Sequence, residues 1–144
     1  MPTVRDLSID DLQIGMNAEL VWNVEDTEID RFASISGDVN PMHVDARYAR
    51  ARGFENRVAH GFLLGSKVSA FVGTMIPGRR CLLLEETLAF PNPVYPGDRI
   101  VISGQLVELW PEQALLKLKF RATKMNGEKS VIVGRGTVLC QIRS

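Results

Sequence analysis

The sequence predicts an α+β fold in which a long antiparallel sheet curves around one central helix. Two observations carry this. Between His60-Gly61 and Pro77-Gly78, the residues Phe62, Leu63, Leu64, Val68, Ala70, Phe71 and Val72 lie nearly all around a helical wheel. A helix apolar on most sides has to be wrapped by something. From Cys81 onward the chain reads as successive strands separated by turn signals. Helices grouped ahead of a run of strands argue for α+β rather than an alternating parallel sheet. The 144 residues show no repeat and no low-complexity linker, so one domain spanning 1–144 is expected.

The elements follow in order. Residues 1–16 are mixed and polar and lead in along the surface. Ala18–Val24 is a weakly alternating strand. Thr27 is the expected N-cap of the next helix, with Asp30 as an imperfect capping box. Ile29, Phe32, Ala33 and Ser36 share one face of it, and Gly37 supplies the stop through a positive φ. A short helix from Asp45 carries Arg47, Tyr48 and Arg50, and residues 53–57 are irregular. After the apolar helix, Cys81–Phe90 is a long strand broken by Pro91, Pro93 and Pro96. Arg99–Leu109 is the next strand, stopped by Pro111. Leu116, Leu118, Phe120 and Ala122 alternate with Lys117, Lys119 and Arg121, as in a half-buried strand. Asn126-Gly127 signals a hairpin. Val131, Val133 and Val138 belong to the returning strand, with a bulge expected at Gly134 or Gly136.

Composition narrows the class. Apolar residues make up 45% and charged residues 24%, ordinary for a soluble globular chain. Lys+Arg and Asp+Glu balance at 17 each, so no basic field points to nucleic acid and no acidic bias to disorder. Cys81 and Cys140 lack metal-ligand spacing and sit in apolar stretches, which reads as buried thiols. The segment Pro2–Asp6 opens no signal-peptide region. The longest apolar stretch, 62–76, contains Lys67, Ser66 and Ser69 and is too short to span a bilayer. The expectation is a cytoplasmic protein with no membrane partner.

The chemistry concentrates in Gly37-Asp38-Val39-Asn40-Pro41-Met42-His43. Pro41 lacks an N–H and pushes Asn40 toward extended geometry, so the segment reads as a bent, non-helical loop. Asp38 and His43 then sit on opposite limbs and can converge on one small molecule. An ionised Asp accepts, and His donates or accepts with an unperturbed pKa near ~6.5. Such a pair can hold one water and pass a proton each way. Taken alone, the pair reads more readily as an Asx-turn beside a surface His.

The full string Gly37-Asp38-x-Asn40-Pro41-x-His43-x-Asp45 resembles the hydratase motif of the MaoC-like, (R)-specific enoyl-CoA hydratases. Val58-Ala59-His60-Gly61-Phe62-Leu63-Leu64 is similar to that family's turn into its central helix. Phe90-x-x-Pro93-Val94-x-x-Gly97-Asp98 is similar to its strand-to-loop segment. The three occur in the family's order from about Val24 to Leu139. The resemblance implies a hot-dog fold and a homodimer with sheets joined edge to edge. It also implies reversible hydration of an enoyl thioester to an (R)-3-hydroxyacyl thioester. The partner is then an acyl-CoA or acyl-carrier thioester, acting as substrate, with no cofactor and no metal.

That reaction has three needs: deprotonating water as it attacks C3, delivering a proton to C2, and stabilising charge on the thioester oxygen. Asp38 and His43 can meet the first two as a coupled pair, with acid and base unassigned. Gly61 answers the third. A helix N-terminus offers free N–H groups, and Gly lets an oxygen approach closely. Gly61 can equally begin a tightly packed helix. His60 and Asn40 read as braces of the loop. Ser69 lies where the resemblance places a Ser near the site, or is a back-bonded helix Ser. Arg47, Arg50, Arg52, Arg57, Arg79 and Arg80 can meet coenzyme A phosphates or be solvated. Phe62 and Phe71 read as core.

Glu85-Glu86 departs from the family pattern. One of the two should face inward or toward a partner, which makes a short or polar acyl pocket an expectation. Two alternatives remain on the sequence: a thioesterase on the same fold and a non-catalytic acyl-binding protein. The absence of Asp or Glu from Gly61 to Pro77 counts against the first. The joint presence of Asp38 and His43 counts against the second.

Overall fold

The computed structural model describes residues 3–144; Met1 and Pro2 of the expected lead-in lie outside the described residues. Five antiparallel strands form one sheet in the order β1-β3-β4-β5-β2. The strands are β1 (Asn17–Asn23), β2 (Cys81–Glu86), β3 (Arg99–Trp110), β4 (Leu115–Asn126) and β5 (Lys129–Ile142). Four helices precede β2: α1 (Asp26–Ser36), α2 (Pro41–Val44), α3 (Ala46–Ala51) and the central α4 (Gly61–Thr74). This is the α+β, hot-dog arrangement, with α4 laid against the inward face of the sheet.

The inward face is built by alternation. Ile100, Ile102 and Leu106 on β3, Leu116, Leu118, Phe120 and Ala122 on β4, and Val133, Val138 and Cys140 on β5 are all buried. They pack on Leu64, Val68, Phe71 and Val72 of α4. Glycines let the helix approach closely. A Cβ on Gly104 would meet the Phe71 ring, and one on Gly134 would collide with Leu64. Strand positions opposite bulky helix residues are therefore emptied of side chain.

Several local expectations shift. The N-cap of α1 is Glu25, not Thr27, and the box partner is Glu28, because Glu25 and Glu28 exchange side-chain and backbone bonds across the first turn. Gly37 does end α1, with φ 78° and its N–H on the Ala33 carbonyl. The segment after it is not wholly loop. Pro41–Val44 makes one helical turn, because Pro at the first helical position costs no hydrogen bond and Asn40 caps Met42 N–H. β2 ends at Glu86 rather than Phe90, with Ala89 meeting Arg135 only as an isolated bridge before the prolines. The hairpin turn is Gly127-Glu128, since Asn126 already pairs with Lys129. The β5 bulge falls at Val133, where Ala122 faces Gly134 and Thr123 faces Ile132. The lead-in is not purely superficial, as Leu12 is buried.

The largest correction concerns α4. Its own sheet covers one side only. Phe62, Ser66, Ser69 and Ala70 stay exposed, and Phe62 is 71% exposed rather than core. Beside this open face runs edge strand β2, with Leu82, Leu83 and Leu84 exposed. On the same strand Glu85 is exposed and Glu86 is half-buried. Glu86 Oε1 is enclosed and has no partner among the described residues, and burial pushes this carboxyl above its ordinary range. Cys140 is buried and Cys81 only half-buried, both as free thiols.

One polar cluster ties β1, α1 and α4 together. Glu28 accepts from Trp22 Nε1 at 3.0 Å and from Lys67 Nζ at 2.5 Å, and Lys67 is the one charged residue of α4. Burial alone would raise the Glu28 pKa, but the Lys67 and Trp22 hydrogen bonds win and hold it below the ordinary 4.5. Lys67→Met keeps the stem over Trp22 and strands the carboxylate, at an expected cost of about 1–3 kcal/mol. A depressed carboxylate pKa stabilises the fold fully above 4.5 and loses that contribution as pH falls through the folded value. The difference in melting temperature between wild type and Lys67→Met should be widest near neutral pH and close in acid. A gap independent of pH would refute the ion-pair explanation.

Candidate active site

The site forms where two short segments are stitched together. The first is 37–45. The Asp38 N–H donates to Ser36 Oγ, and Asp38 Oδ1 accepts from Asn40 N–H, an Asx-turn. Asn40 Oδ1 caps α2 at 3.0 Å from Met42 N, so Asn40 is spent on the backbone. Asp45 caps α3 through Arg47 and Tyr48 N–H groups. The second segment is 57–61. Arg57 grips Asp26 at 2.8 Å and Asp30 at 2.6 Å, fixing the segment to α1. Val58 N–H donates to Met42 O, and Ala59 N–H donates to Val94 O.

Two imidazole-to-carbonyl bonds close the site. His43 Nδ1–H donates to Val58 O at 2.6 Å, which leaves Nε2 with its lone pair. His60 Nε2–H donates to Asp38 O at 2.9 Å. The rings of His43 and His60 stack with centroids 3.9 Å apart and planes 22° apart. These are the chain's only two histidines. His43 Nε2 then faces Asp38 Oδ2 across 3.7 Å, beyond direct hydrogen-bond range, so that one water lying to the side could touch both. The Asp38 side chain is 51% exposed and that of His43 17%, so the pair opens to solvent from one side.

Asp38, His43 and His60 bring three candidate ligand atoms within 4.8 Å of one another. Their geometry does not suit a shared ion. Imidazole lone pairs lie in the ring plane and zinc sits about 2.0–2.1 Å from nitrogen. An ion in the plane of one ring is well outside the plane of a ring stacked upon it.

Gly61 opens α4 immediately after His60, and among the described residues no main-chain acceptor takes its N–H. Phe90 lies over it: a Cβ at Gly61 would come within 2.7 Å of Phe90 Cε2. Gly61 thus serves tight packing and leaves a donor free. Ser69 is two turns along α4 and exposed, and it does not line the cavity beside His43. A cavity of about 330 Å³ adjoins His43 and Gly61, with walls from Trp22, Leu64, Phe90 and Val133. Neither Glu85 nor Glu86 lines it, so the expected polar pocket does not arise there. Its size is at the low end for small-molecule sites, which run about 300–1,000 Å³. Sequence reasoning did not single out Trp22 or Phe90 as walls of the site; the signal available for Phe90 was its place as the aromatic residue that opens the third motif. The third motif acts as a brace: Asp98 Oδ2 accepts from Tyr95 N–H and from Lys124 Nζ at 2.6 Å, fixing the 93–98 loop that carries Val94 O. Of the arginines, Arg57 and Arg80 are tied to carboxylates, and Arg52 covers the Tyr48 ring.

Comparison with known proteins gives a consistent picture. Residues 12–131 match the family model described as MaoC like domain. The chain is similar to an (R)-specific enoyl-CoA hydratase of Rhodospirillum rubrum, 34% identical over 93% of this chain and 92% of that protein. It is similar to a 3-hydroxybutyryl-CoA dehydratase of Methylorubrum extorquens, 32% identical over 96% of this chain and 87% of that one. In structure it resembles an unliganded R-hydratase from Pseudomonas aeruginosa with a TM-score of 0.88 and 31% identity, covering 96% of this chain and 87% of that chain.

The Gly61–Phe90 contact is testable. Gly61→Ala should destabilise by about 1–3 kcal/mol through overpacking. In a Phe90→Ala background the same change should cost little. A double-mutant cycle by denaturant unfolding should therefore show coupling of roughly 1 kcal/mol. Strict additivity would mean that the ring does not press on the glycine.

Proposed function

The chain belongs to the MaoC-like dehydratase family, and on that premise we propose that it is a hydro-lyase acting on enoyl thioesters. It adds water reversibly across the trans-2 double bond of an enoyl-CoA to give an (R)-3-hydroxyacyl thioester. The observation that supports this most directly is the 3.7 Å gap between His43 Nε2 and Asp38 Oδ2 beside an apolar cavity. A water held in that gap gives up a proton as its oxygen bonds to C3. The π pair moves toward C2 and the thioester oxygen, and C2 takes up a proton from the pair. One proton leaves the water and one reaches C2, so the pair ends as it began. The Gly61 N–H is our assignment for the donor to the thioester oxygen, aided by the positive end of α4. A single such donor is worth about 2.7–4 kcal/mol. The substrate is an acyl-CoA or acyl-carrier thioester, and both proton transfers lie within reach of side chains of this chain, so the reaction is written without a cofactor.

Purified protein should hydrate crotonyl-CoA, read as loss of the enoyl absorbance without release of free thiol. Thiol release at a comparable rate would point instead to a thioesterase, and inertness across enoyl thioesters to a binding protein. Asp38→Asn and His43→Gln should each lose at least ~10²–10⁴-fold in turnover while folding normally. The double variant should be little worse, because the two act on one water. A folded single variant with near-wild-type turnover removes that residue from the mechanism.

We also infer a homodimer. The exposed face of α4 and the unpaired edge of β2 carry Phe62, Leu82, Leu83 and Leu84 into solvent in the single chain. A second copy joining β2 to β2 would cover both. Light scattering should give about twice the 16.0 kDa chain mass. A stable, active monomer would contradict this.

A further inference from the structure

His60 is 3% exposed, the one buried polar or charged residue among the described residues. Its ring uses three of its features at once. Nε2–H holds the Asp38 carbonyl, one face lies on the His43 ring, and Phe32 meets it at a tilt, with centroids 4.9 Å apart. The fourth feature, Nδ1, is enclosed and has no partner. A lone pair left bare in apolar surroundings is tolerable, whereas an N–H⁺ there would lack any acceptor.

We propose that His60 is a positioning residue for the dyad, held as the neutral Nε2–H tautomer so that its edge anchors Asp38 and its face braces His43. The inference rests on the hydratase reading of Asp38 and His43. Two stacked imidazoles cannot both carry charge without strong repulsion. The buried ring with an acceptor-less Nδ1 is the one that stays neutral. The proton that turnover places on an imidazole therefore goes to His43 Nε2, the atom facing Asp38 Oδ2. Of the charges near His60, those of His43 and Arg57 disfavour a cation there, while the Asp38 carboxylate favours one and is outweighed by burial. His43 lies against its face, and the Asp38 carboxylate belongs to the residue it anchors. Arg57, one turn of chain away, adds positive charge already engaged by Asp26 and Asp30. Burial pushes the His60 pKa down and outweighs the bond to the Asp38 carbonyl that would raise it. Its main chain also runs directly into Gly61. One ring thus fixes the distance between the dyad and the N–H assigned to the thioester oxygen.

Because the chain has two histidines, ¹⁵N spectra of untagged wild-type protein resolve both rings without ambiguity. His60 should show a protonated Nε2 and a bare Nδ1 throughout the range from about pH 5 to 8. Titration of His60 in that range would overturn the proposal. This reading needs no turnover, so it stands or falls apart from the hydratase assignment. Two variants then separate edge from face. His60→Phe keeps the stacked ring and loses the donor; His60→Gln keeps a donor and loses the ring. Each should lower kcat on crotonyl-CoA by ~10–100-fold through slack in the dyad, with KM little changed. Folded variants that lose melting temperature but keep wild-type kcat would reduce His60 to a structural residue and refute the positioning role.

Discussion

The site depends on two hydrogen bonds from imidazole edges to main-chain carbonyls, His43 to Val58 and His60 to Asp38. Each joins the segment of one residue to the segment of the other, so the two lengths of irregular chain are cross-tied. Neither segment contains a strand or a long helix that could hold a side chain by itself. Irregular backbone has to find its partners from side chains or from neighbouring loops. Here the same bonds that satisfy the carbonyls also set the tautomers of the rings. Structural satisfaction and chemical preparation are one event, and disturbing either bond loosens both residues of the dyad.

The scaffold supports this from three directions. Arg57 ties the 57–60 segment to α1, the Glu28–Lys67–Trp22 cluster ties α1 to α4 and β1, and Asp98 with Lys124 fixes the loop that receives Ala59. The Lys67–Glu28 and Lys124–Asp98 pairs are half-buried, where charge-assisted bonds are stronger than at an open surface, whereas Arg57 reaches two exposed carboxylates. Their common effect is geometric. They fix the end of α1 that delivers Asp38 and the start of α4 that presents Gly61. In the proposed reaction, these two would serve C2 and C3 on one side and the thioester oxygen on the other, so their relative placement matters.

The glycines explain why the helix sits where it does. Gly104 and Gly134 empty the sheet under Phe71 and Leu64, while Gly61 empties the helix under Phe90. Close approach on this side leaves the opposite side of α4 bare. A five-stranded sheet of this size covers half of a helix, and the apolar wheel of α4 exceeds what one chain can bury. The open face and the open edge of β2 are two consequences of the same limit.

The sequence by itself determined the α+β class, the order of the elements and the residues of the loop that carries Asp38 and His43. Each of these is a local signal: the period of apolar residues, Gly and Pro at turns, and a short motif with fixed spacing. It located the hairpin, the stop at Gly37 and the short helix from Asp45 for the same reason. It missed the one-turn helix at Pro41, the Glu25 cap and the early end of β2, where a neighbour's hydrogen bonds outweigh intrinsic preference. Only the tertiary structure decided that His60 stacks on His43, that Phe90 covers Gly61, that Ser69 and Phe62 face outward, and that Glu86 turns in while Glu85 does not. These depend on which surfaces meet across long stretches of chain. Side-chain periodicity shows that a residue has a hidden face, but what hides it is set by packing between segments distant in sequence.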